Sequence, residues 1–180
     1  MKAPVASSSA ARSSIFVYGT LLSPRVVEVL LGRQHHDPSS QQQRAMVQGF
    51  QRHAVKDVFY PAMIPSNNRN GQYDTVVEGC LLSDLSPQDR TLLDWFEGDE
   101  YEATPVEATL LNNHQGEEKE EPRTIKTECY IWKPQFYNQL IPLSQKVWSF
   151  EEFQAEHLQE YLETTVRPCR QEMEQLGMTN

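Results

Sequence analysis

The sequence has neither a long apolar run nor a cluster of basic residues. Its longest apolar stretches, residues 15–22 and 26–31, fall short of the about 18 residues that a membrane helix needs. The 25 acidic residues outnumber the 16 basic ones, which leaves a net charge of −9. A nucleic-acid-binding surface needs basic side chains that displace counterions from phosphates. We therefore expect neither a membrane nor a nucleic acid as partner.

Cysteine is scarce as well. The three residues Cys80, Cys129 and Cys169 lie far apart, and an odd, dispersed set fits buried thiols in a reducing compartment better than a disulfide framework. The Ser- and Ala-rich residues 1–13 lack the apolar segment of a secretion signal, so we interpret them as a disordered leader. These absences predict a cytoplasmic protein.

Three polar segments, residues 34–44, 112–124 and 171–180, show no period that could bury one face. We interpret the first as a loop, the second as a charged loop insertion and the third as a C-terminal tail. Residues 14–170 then form one domain, long enough to bury a workable core. Because no apolar stripe is left over once this core is assigned, we expect a monomer.

Helix starts and ends are readable from local signals. Ser23 as N-cap and Pro24 in the first turn predict a helix that ends at Gly32. Residues 86–89 resemble a capping box with proline at the first helical position, and the helix they begin ends at Gly98.

Strand-like segments share short apolar or alternating runs. They lie at residues 14–18, 46–55, 62–64, 75–82, 106–110 and 125–131. A capping box at residues 149–152 begins a terminal amphipathic helix, which Pro168 is expected to kink or end. Because several strands follow one another without a helix between them, we predict an α+β fold, a mixed sheet or small barrel rather than a doubly wound parallel sheet.

The first candidate site is the turn between the first strand and the first helix, residues 18–23. A buried strand that ends in glycine and leads into a helix presents free backbone N–H groups, which can hold a carboxylate or stabilise an oxyanion. Gly19 allows the backbone to approach a ligand closely. An ordinary strand-to-helix turn has the same pattern and stays an open alternative.

The second candidate is Glu97, at the predicted end of the second helix. The helix dipole disfavours a negative charge there, Asp94 and Asp99 are nearby acids, and Trp95 and Phe96 are apolar. Each influence raises the pKa of a carboxyl group, and a carboxyl with a raised pKa can carry protons near neutral pH. The alternative is an exposed acid that follows a core helix.

Several short motifs occur in a characteristic order. They are Phe-Val-Tyr-Gly-Thr-Leu at residues 16–21, Tyr-Pro-Ala at 60–62, Glu-Gly at 78–79, Leu-Asp-Trp-Phe-Glu-Gly at 93–98 and then Tyr101. This order resembles the gamma-glutamylcyclotransferase-like family, most closely its plant avirulence-induced branch, which is related to gamma-glutamylamine cyclotransferases. The resemblance extends over residues 15–166. It implies a compact barrel of mixed strands with helices around it.

The resemblance also implies a pocket between the turn and one glutamate, with Glu97 as the catalytic general acid/base. The residues implied to bind the substrate are Tyr18, Gly19, Thr20, Leu21, Leu22, Ser23 and Tyr101. In the implied acyl transfer, the alpha-amine of a gamma-glutamyl compound attacks its own gamma-carbonyl and releases 5-oxoproline and an amine or amino acid. The resemblance implies no metal and no organic cofactor.

Two alternatives stay open, because a fold does not by itself establish a function. The chain could be a non-catalytic small-molecule-binding or stress-related interaction protein, with Glu97 as counter-ion for an ammonium ligand. It could also be an enzyme that acts on another amide.

The histidines give no convincing metal site. His35, His36 and Asp37 lie in a polar loop, and His157 lacks the second histidine of a zinc-protease helix. No serine or cysteine has the sequence context of a nucleophile elbow. We therefore predict no metal ligands.

Overall fold

A closed barrel is the centre of the computed structural model, which describes residues 13–32, 42–66, 75–111 and 122–179. Within these ranges the strands are β1 (Ser13–Val17), β2 (Gln43–Gln48), β3 (Phe50–Ala54), β4 (Pro61–Pro65), β5 (Val76–Leu85), β6 (Tyr101–Leu110) and β7 (Thr124–Trp132). The barrel order is β1-β5-β2-β6-β7, and β3 and β4 form a separate hairpin. Barrel neighbours pair antiparallel, except for β1 and β7, which pair parallel and close the barrel.

Helical segments surround this barrel, which confirms the predicted α+β barrel. In the same ranges they are α1 (Pro24–Leu31), α2 (Pro87–Glu97), α3 (Phe150–Glu152), α4 (Leu158–Tyr161), α5 (Arg167–Gln175), the 3-10 turns Thr20–Leu22 and Pro134–Gln139, and the π-helical turns Phe153–His157 and Leu162–Val166. The π-helical turns join α3, α4 and α5 end to end. No helix in the described ranges combines the length and apolar character needed to cross a membrane.

The alternating residues of β1 divide the buried side chains into two clusters. Phe16 packs in one cluster with Val47 and Cys129 from neighbouring strands, and Ile15 and Val17 belong to a second cluster shared with the helices. Successive strand residues point to opposite faces. The first cluster therefore fills the barrel, and the second attaches the helices to its outside.

β1 and β5 approach each other so closely that only glycine fits at position 79. A Cβ atom on Gly79 would lie 2.2 Å from the carbonyl oxygen of Val17 and 2.7 Å from the ring of Phe16. A glycine inside a strand often marks such a close approach. Gly79 of the Glu-Gly motif thus lets β1 lie close against β5, just before the turn that follows β1.

The predicted signals for the first two helices are confirmed. α1 begins at Pro24 and is followed by Gly32 in the left-handed region (φ 66°), although the Ser23 side chain makes no capping hydrogen bond. α2 has the full capping box, because the Asp89 N–H donates to Ser86 Oγ (3.1 Å) and the Ser86 N–H donates to Asp89 Oδ2 (2.7 Å). Both helices therefore begin at a proline, whose geometry suits a first turn, and α2 is also stabilised by its capping box.

The sequence predicts that Pro168 kinks or ends the terminal helix. It does not end the helix, because it sits in the first turn of α5, directly after a π-helical turn. A proline is tolerated in a first turn, where its missing N–H would have no partner. The predicted tail, residues 171–180, is helical as far as Gln175 and buries Met173 completely. Met173 continues the helical spacing of Val166 and Cys169, a weak apolar signal among polar and charged neighbours.

The strand predicted at residues 46–55 is two strands, because Gly49 has a φ of 81° and turns the chain between β2 and β3. The predicted strand at residues 106–110 begins earlier, at Tyr101. It crosses Pro105, which pairs with Glu128 of β7.

Most of the predicted leader, loop and insertion lies outside the described residues, as do His35, His36 and Asp37. The described cysteines are free thiols, but only Cys129 is buried, while Cys80 and Cys169 are half-buried.

Candidate active site

A cavity of about 220 Å³ lies between the barrel, the turn after β1 and the helices α2 and α5. It is smaller than the about 300–1,000 Å³ of pockets for drug-sized ligands, so it suits a small one. Its lining contains five of the seven tyrosines of the chain. These are Tyr18, Tyr60, Tyr101, Tyr130 and Tyr161. Two acids, Glu97 and Glu100, line it too, whereas none of its described lining residues is Lys, Arg or His.

Glu97 is the last residue of α2, is half-buried and lines this cavity. Burial raises the pKa of Glu97 to about 8, and the charge of Asp94 contributes to the rise. The sequence predicts the raised pKa, but the expected role of Trp95 is wrong, since this side chain is 43% exposed. The Glu97 carboxyl is enclosed instead by a cavity whose walls include tyrosines of the barrel and of the C-terminal helices.

Gly98 turns the chain sharply after Glu97. Its φ of 71° and ψ of −163° lie in a region that essentially only glycine populates. α2 therefore ends at Glu97, and β6 begins three residues after Gly98, at Tyr101. This short connection places Glu97 and Tyr101 on the same cavity.

Tyr18 lines the cavity, but its polar groups are used by the fold. Its hydroxyl donates to the carbonyl oxygen of Tyr130 (2.8 Å) and accepts from the N–H of Met63 (3.2 Å). Its carbonyl oxygen accepts from Nη1 of Arg52 (2.9 Å). Burial is the main cause that raises the pKa of Tyr18, whose side chain thus remains a neutral anchor for the turn.

Gly19 makes room for Pro61, a second reason for glycine at this position beside the expected approach to a ligand. A Cβ atom on Gly19 would lie 2.9 Å from the ring carbons Cγ and Cδ of Pro61. The carbonyl oxygen of Pro61 in turn accepts a hydrogen bond from the Tyr101 hydroxyl (2.7 Å). The β3–β4 hairpin, which carries Pro61, therefore braces the turn against Tyr101 from outside the barrel.

The other turn residues divide into two groups. Thr20 and Leu21 line the cavity, and the Thr20 hydroxyl donates to the Tyr161 hydroxyl oxygen (3.3 Å). Leu22 and Ser23 lie outside the lining, because the 3-10 turn directs Leu22 toward the helical core and places Ser23, buried, at the start of α1.

Backbone N–H groups of the turn remain available next to the cavity. The first hydrogen bond within the turn runs from the Leu22 N–H to the Gly19 carbonyl oxygen (3.0 Å). The N–H groups of Thr20 and Leu21 precede it, so they take no part in the hydrogen bonds of the turn itself. They are candidate donors to a ligand.

Sequence reasoning missed Tyr60, Tyr130 and Tyr161 as cavity residues. Tyr60 lies just before β4, Tyr130 in β7 and Tyr161 at the end of α4. Tyr161 belongs to the apolar side of the terminal amphipathic helix. The Tyr-Pro-Ala motif begins with Tyr60 but pointed to it only as part of a resemblance. Their convergence on one carboxyl group is a property of the tertiary structure.

A group of possible metal ligands lies elsewhere, on the C-terminal helices. Glu152, Glu156 and His157 offer ligand atoms within 4.8 Å of one another. Lys146 lies 3.4 Å from Glu152, and the His157 ring stacks on Phe59, with 4.7 Å between ring centroids. These contacts give two of the three residues ordinary structural partners. The group does not overlap with the described lining of the cavity.

Comparison with known proteins gives one consistent result. The family model for "Gamma-glutamyl cyclotransferase, AIG2-like" matches residues 15–150. AIG2-like protein B of Arabidopsis thaliana is 31% identical over 150 residues, which are 83% of this chain and 74% of that protein.

Two solved structures extend the likeness to the fold. A solution structure from Arabidopsis thaliana, 28% identical, superposes with a TM-score of 0.57 and covers 89% of this chain and 92% of its own. A gamma-glutamyl cyclotransferase structure, 14% identical, matches in fold with a TM-score of 0.50 over 85% of this chain and 99% of its own. Since the family match covers most of the chain and one relative exceeds 30% identity, the chain belongs to the AIG2-like gamma-glutamyl cyclotransferase family.

Proposed function

We propose that this chain is a gamma-glutamyl cyclotransferase in which Glu97 is the general acid/base. One observation carries the proposal: a single carboxyl group with its pKa raised to about 8 lines a small cavity whose described lining has no basic side chain. Membership of the family supports the reaction class. The substrate that this cavity favours carries a positive group and a reactive amide.

The first step is proton transfer from the alpha-ammonium of the substrate to Glu97. A carboxylate whose acid has a pKa of about 8 is a better proton acceptor than one with the ordinary 4.5, so taking a proton from the alpha-ammonium costs less free energy. An incoming ammonium group also favours the ionised carboxylate, because opposite charges attract in a site of low dielectric constant. Substrate binding therefore prepares Glu97 to accept the proton.

Ring closure follows within the bound substrate. The free amine attacks the gamma-carbonyl carbon of the same molecule, and the protein only has to hold the bent conformer, because proximity supplies much of the acceleration. Thr20 and Leu21 offer backbone N–H groups that hold the alpha-carboxylate or the developing oxyanion. Tyr18, Gly19 and Tyr101 keep this turn in place.

The last step releases the products. The carbon–nitrogen bond to the leaving group breaks as Glu97 returns its proton to the departing nitrogen, and Glu97 then passes on the second proton, which the ring nitrogen gives up. Overall, the alpha-nitrogen loses two protons and gains one bond to carbon, and the departing amine gains the two protons. The products are 5-oxoproline and an amine or amino acid.

A 5-oxoproline release assay tests the proposal. The substrates are gamma-glutamyl dipeptides, glutathione and gamma-glutamyl amines, and the proteins are wild type, Glu97→Gln and the matched control Glu100→Gln, which alters the other acid of the cavity. We expect release by the wild type and a loss of about 10²–10⁴-fold in kcat for Glu97→Gln, the usual range for a general acid/base. The kcat of Glu100→Gln should fall much less.

The outcomes separate the alternatives. Equal rates from wild type and Glu97→Gln would remove Glu97 from the mechanism and indicate a contaminating enzyme. No release by any folded protein of the set would point to a binding protein or to another amide substrate. A thermal-shift screen with small ammonium carboxylates then distinguishes those two.

A further inference from the structure

The phenol hydroxyls around the cavity differ in the use of their protons. Tyr18 donates to the carbonyl oxygen of Tyr130 (2.8 Å), and Tyr101 donates to that of Pro61 (2.7 Å). Tyr130 donates to Oδ1 of Asp94 (2.6 Å). Since a phenol has one proton to donate, these three are fully used within the protein.

Tyr161 is the exception among the buried phenols. It is 3% exposed, and its hydroxyl oxygen accepts from Oγ1 of Thr20 (3.3 Å). Its own proton has no acceptor among the residues that the structure describes. Tyr60 makes no such bond either, but it is half-buried and can donate to water. A buried donor without a partner is costly to a fold, so the Tyr161 proton is held ready for a ligand.

The ring of Tyr161 is fixed in place by aromatic neighbours. Phe153 meets it edge-on with 5.4 Å between ring centroids, and Phe59 does so at 6.5 Å. The residue is the last of α4, between two π-helical turns, a feature that is frequent at functional sites. Burial raises the pKa of Tyr161, which keeps the phenol protonated throughout the neutral range.

The proposed reaction needs a donor of this kind. Negative charge develops on the gamma-carbonyl oxygen during ring closure, and the described cavity wall offers no basic side chain to stabilise it. Neutral donors have to do so, and they act strongly where water is excluded. Thr20 belongs to the turn with the free N–H groups, so its contact places the Tyr161 hydroxyl beside them.

We infer that Tyr161 is a further catalytic residue, whose hydroxyl donates a hydrogen bond to the gamma-carbonyl oxygen of the substrate as that oxygen becomes an oxyanion. The inference rests on the proposed cyclotransferase function. The proton stays on Tyr161, so Glu97 alone carries protons between the two nitrogens.

The test compares Tyr161→Phe with Tyr130→Phe, a cavity phenol whose proton is already used by Asp94. For Tyr161→Phe we expect kcat to fall about 10²–10³-fold, the usual effect of a lost oxyanion donor. KM and the melting temperature should change little, because the only bond lost among the described residues is the long one from Thr20. The acidic limb of the pH profile of kcat/KM should keep its midpoint, because the surroundings of Glu97 are otherwise unchanged. The kcat of Tyr130→Phe should fall far less.

The results distinguish this inference from the proposed function. If the wild type releases 5-oxoproline and folded Tyr161→Phe has a similar kcat, the inference is overturned and the proposed function stands. If the wild type releases none, both are overturned. If Tyr161→Phe does not fold, Thr20→Val replaces it, since this change removes the bond that orients the Tyr161 hydroxyl. A lower kcat at unchanged KM then supports the inference, and a kcat equal to that of the wild type overturns it.

Discussion

At the scale of single residues, the charge on Glu97 opposes folding. Its pKa is about 8 in the folded chain against an ordinary 4.5, so the folded state binds this proton more tightly than the unfolded state. The free energy of unfolding therefore falls as the pH rises from about 4.5 to about 8. A group of this kind is tolerated in a native structure where function requires it.

Glu97→Gln tests this statement, because glutamine keeps the shape of the side chain without the charge. We expect both proteins to be similarly stable near pH 5 and the variant to be more stable by about 1–3 kcal/mol near pH 9, since each pKa unit corresponds to about 1.4 kcal/mol. Urea unfolding across this range measures the difference. A difference that does not grow with pH would contradict the raised pKa.

At the scale of secondary-structure elements, the end of α2 determines where Glu97 lies. Gly98→Ala would introduce a Cβ into a backbone conformation that only glycine adopts readily and within 3.1 Å of Oε2 of Glu100. We expect a loss of about 1–3 kcal/mol in unfolding free energy together with lower 5-oxoproline release, because the end of the helix shifts. Urea unfolding and the release assay measure the two effects.

Gly177→Ala is the matched control for this prediction. Gly177 also has a positive φ, of 70°, but no atom lies within 4 Å of a Cβ placed there. It follows the end of α5 by two residues, where the Met178 N–H donates to the carbonyl oxygen of Met173 (2.9 Å). The control should therefore lose stability and keep its activity. Equal activity in the two variants would show that the end of α2 does not control the site.

At the scale of the whole molecule, charge predicts the preferred leaving group. The chain carries a net charge of −9, and the described cavity lining contains two acids and no base. A carboxylate on the leaving group would meet no basic side chain there and would be repelled by the two acids. We expect kcat/KM for gamma-glutamyl-ethylamine to be roughly tenfold higher than for gamma-glutamyl-alanine, which carries one more carboxylate. This ratio corresponds to about 1.4 kcal/mol.

Ionic strength provides the control for this last prediction. Salt screens charge repulsion, so the preference should shrink as salt is added. A preference that is equal at low and high salt would indicate a steric cause, and the absence of any preference would contradict the argument.

Much of the fold could be predicted because its signals are local. Pro24 and Gly32 limit α1, and the capping box of Ser86 and Asp89 begins α2, through geometry or bonds that span a few residues. Met173 lies at the other extreme. It is buried because the terminal helix packs back on the domain, and its helical spacing from Val166 and Cys169 is only a weak signal among charged neighbours.

The same distinction holds for the site. The sequence alone determined the turn with its glycine, the glutamate that ends α2 and the acidic balance, because each depends on neighbouring residues or on composition. Only the tertiary structure decided that Pro61 fills the space beside Gly19 and that the Tyr161 proton has no acceptor among the described residues. Thr20 and Tyr161 are 141 positions apart in the chain, and a contact between such distant residues exists only once the barrel has closed and the helices have packed on it.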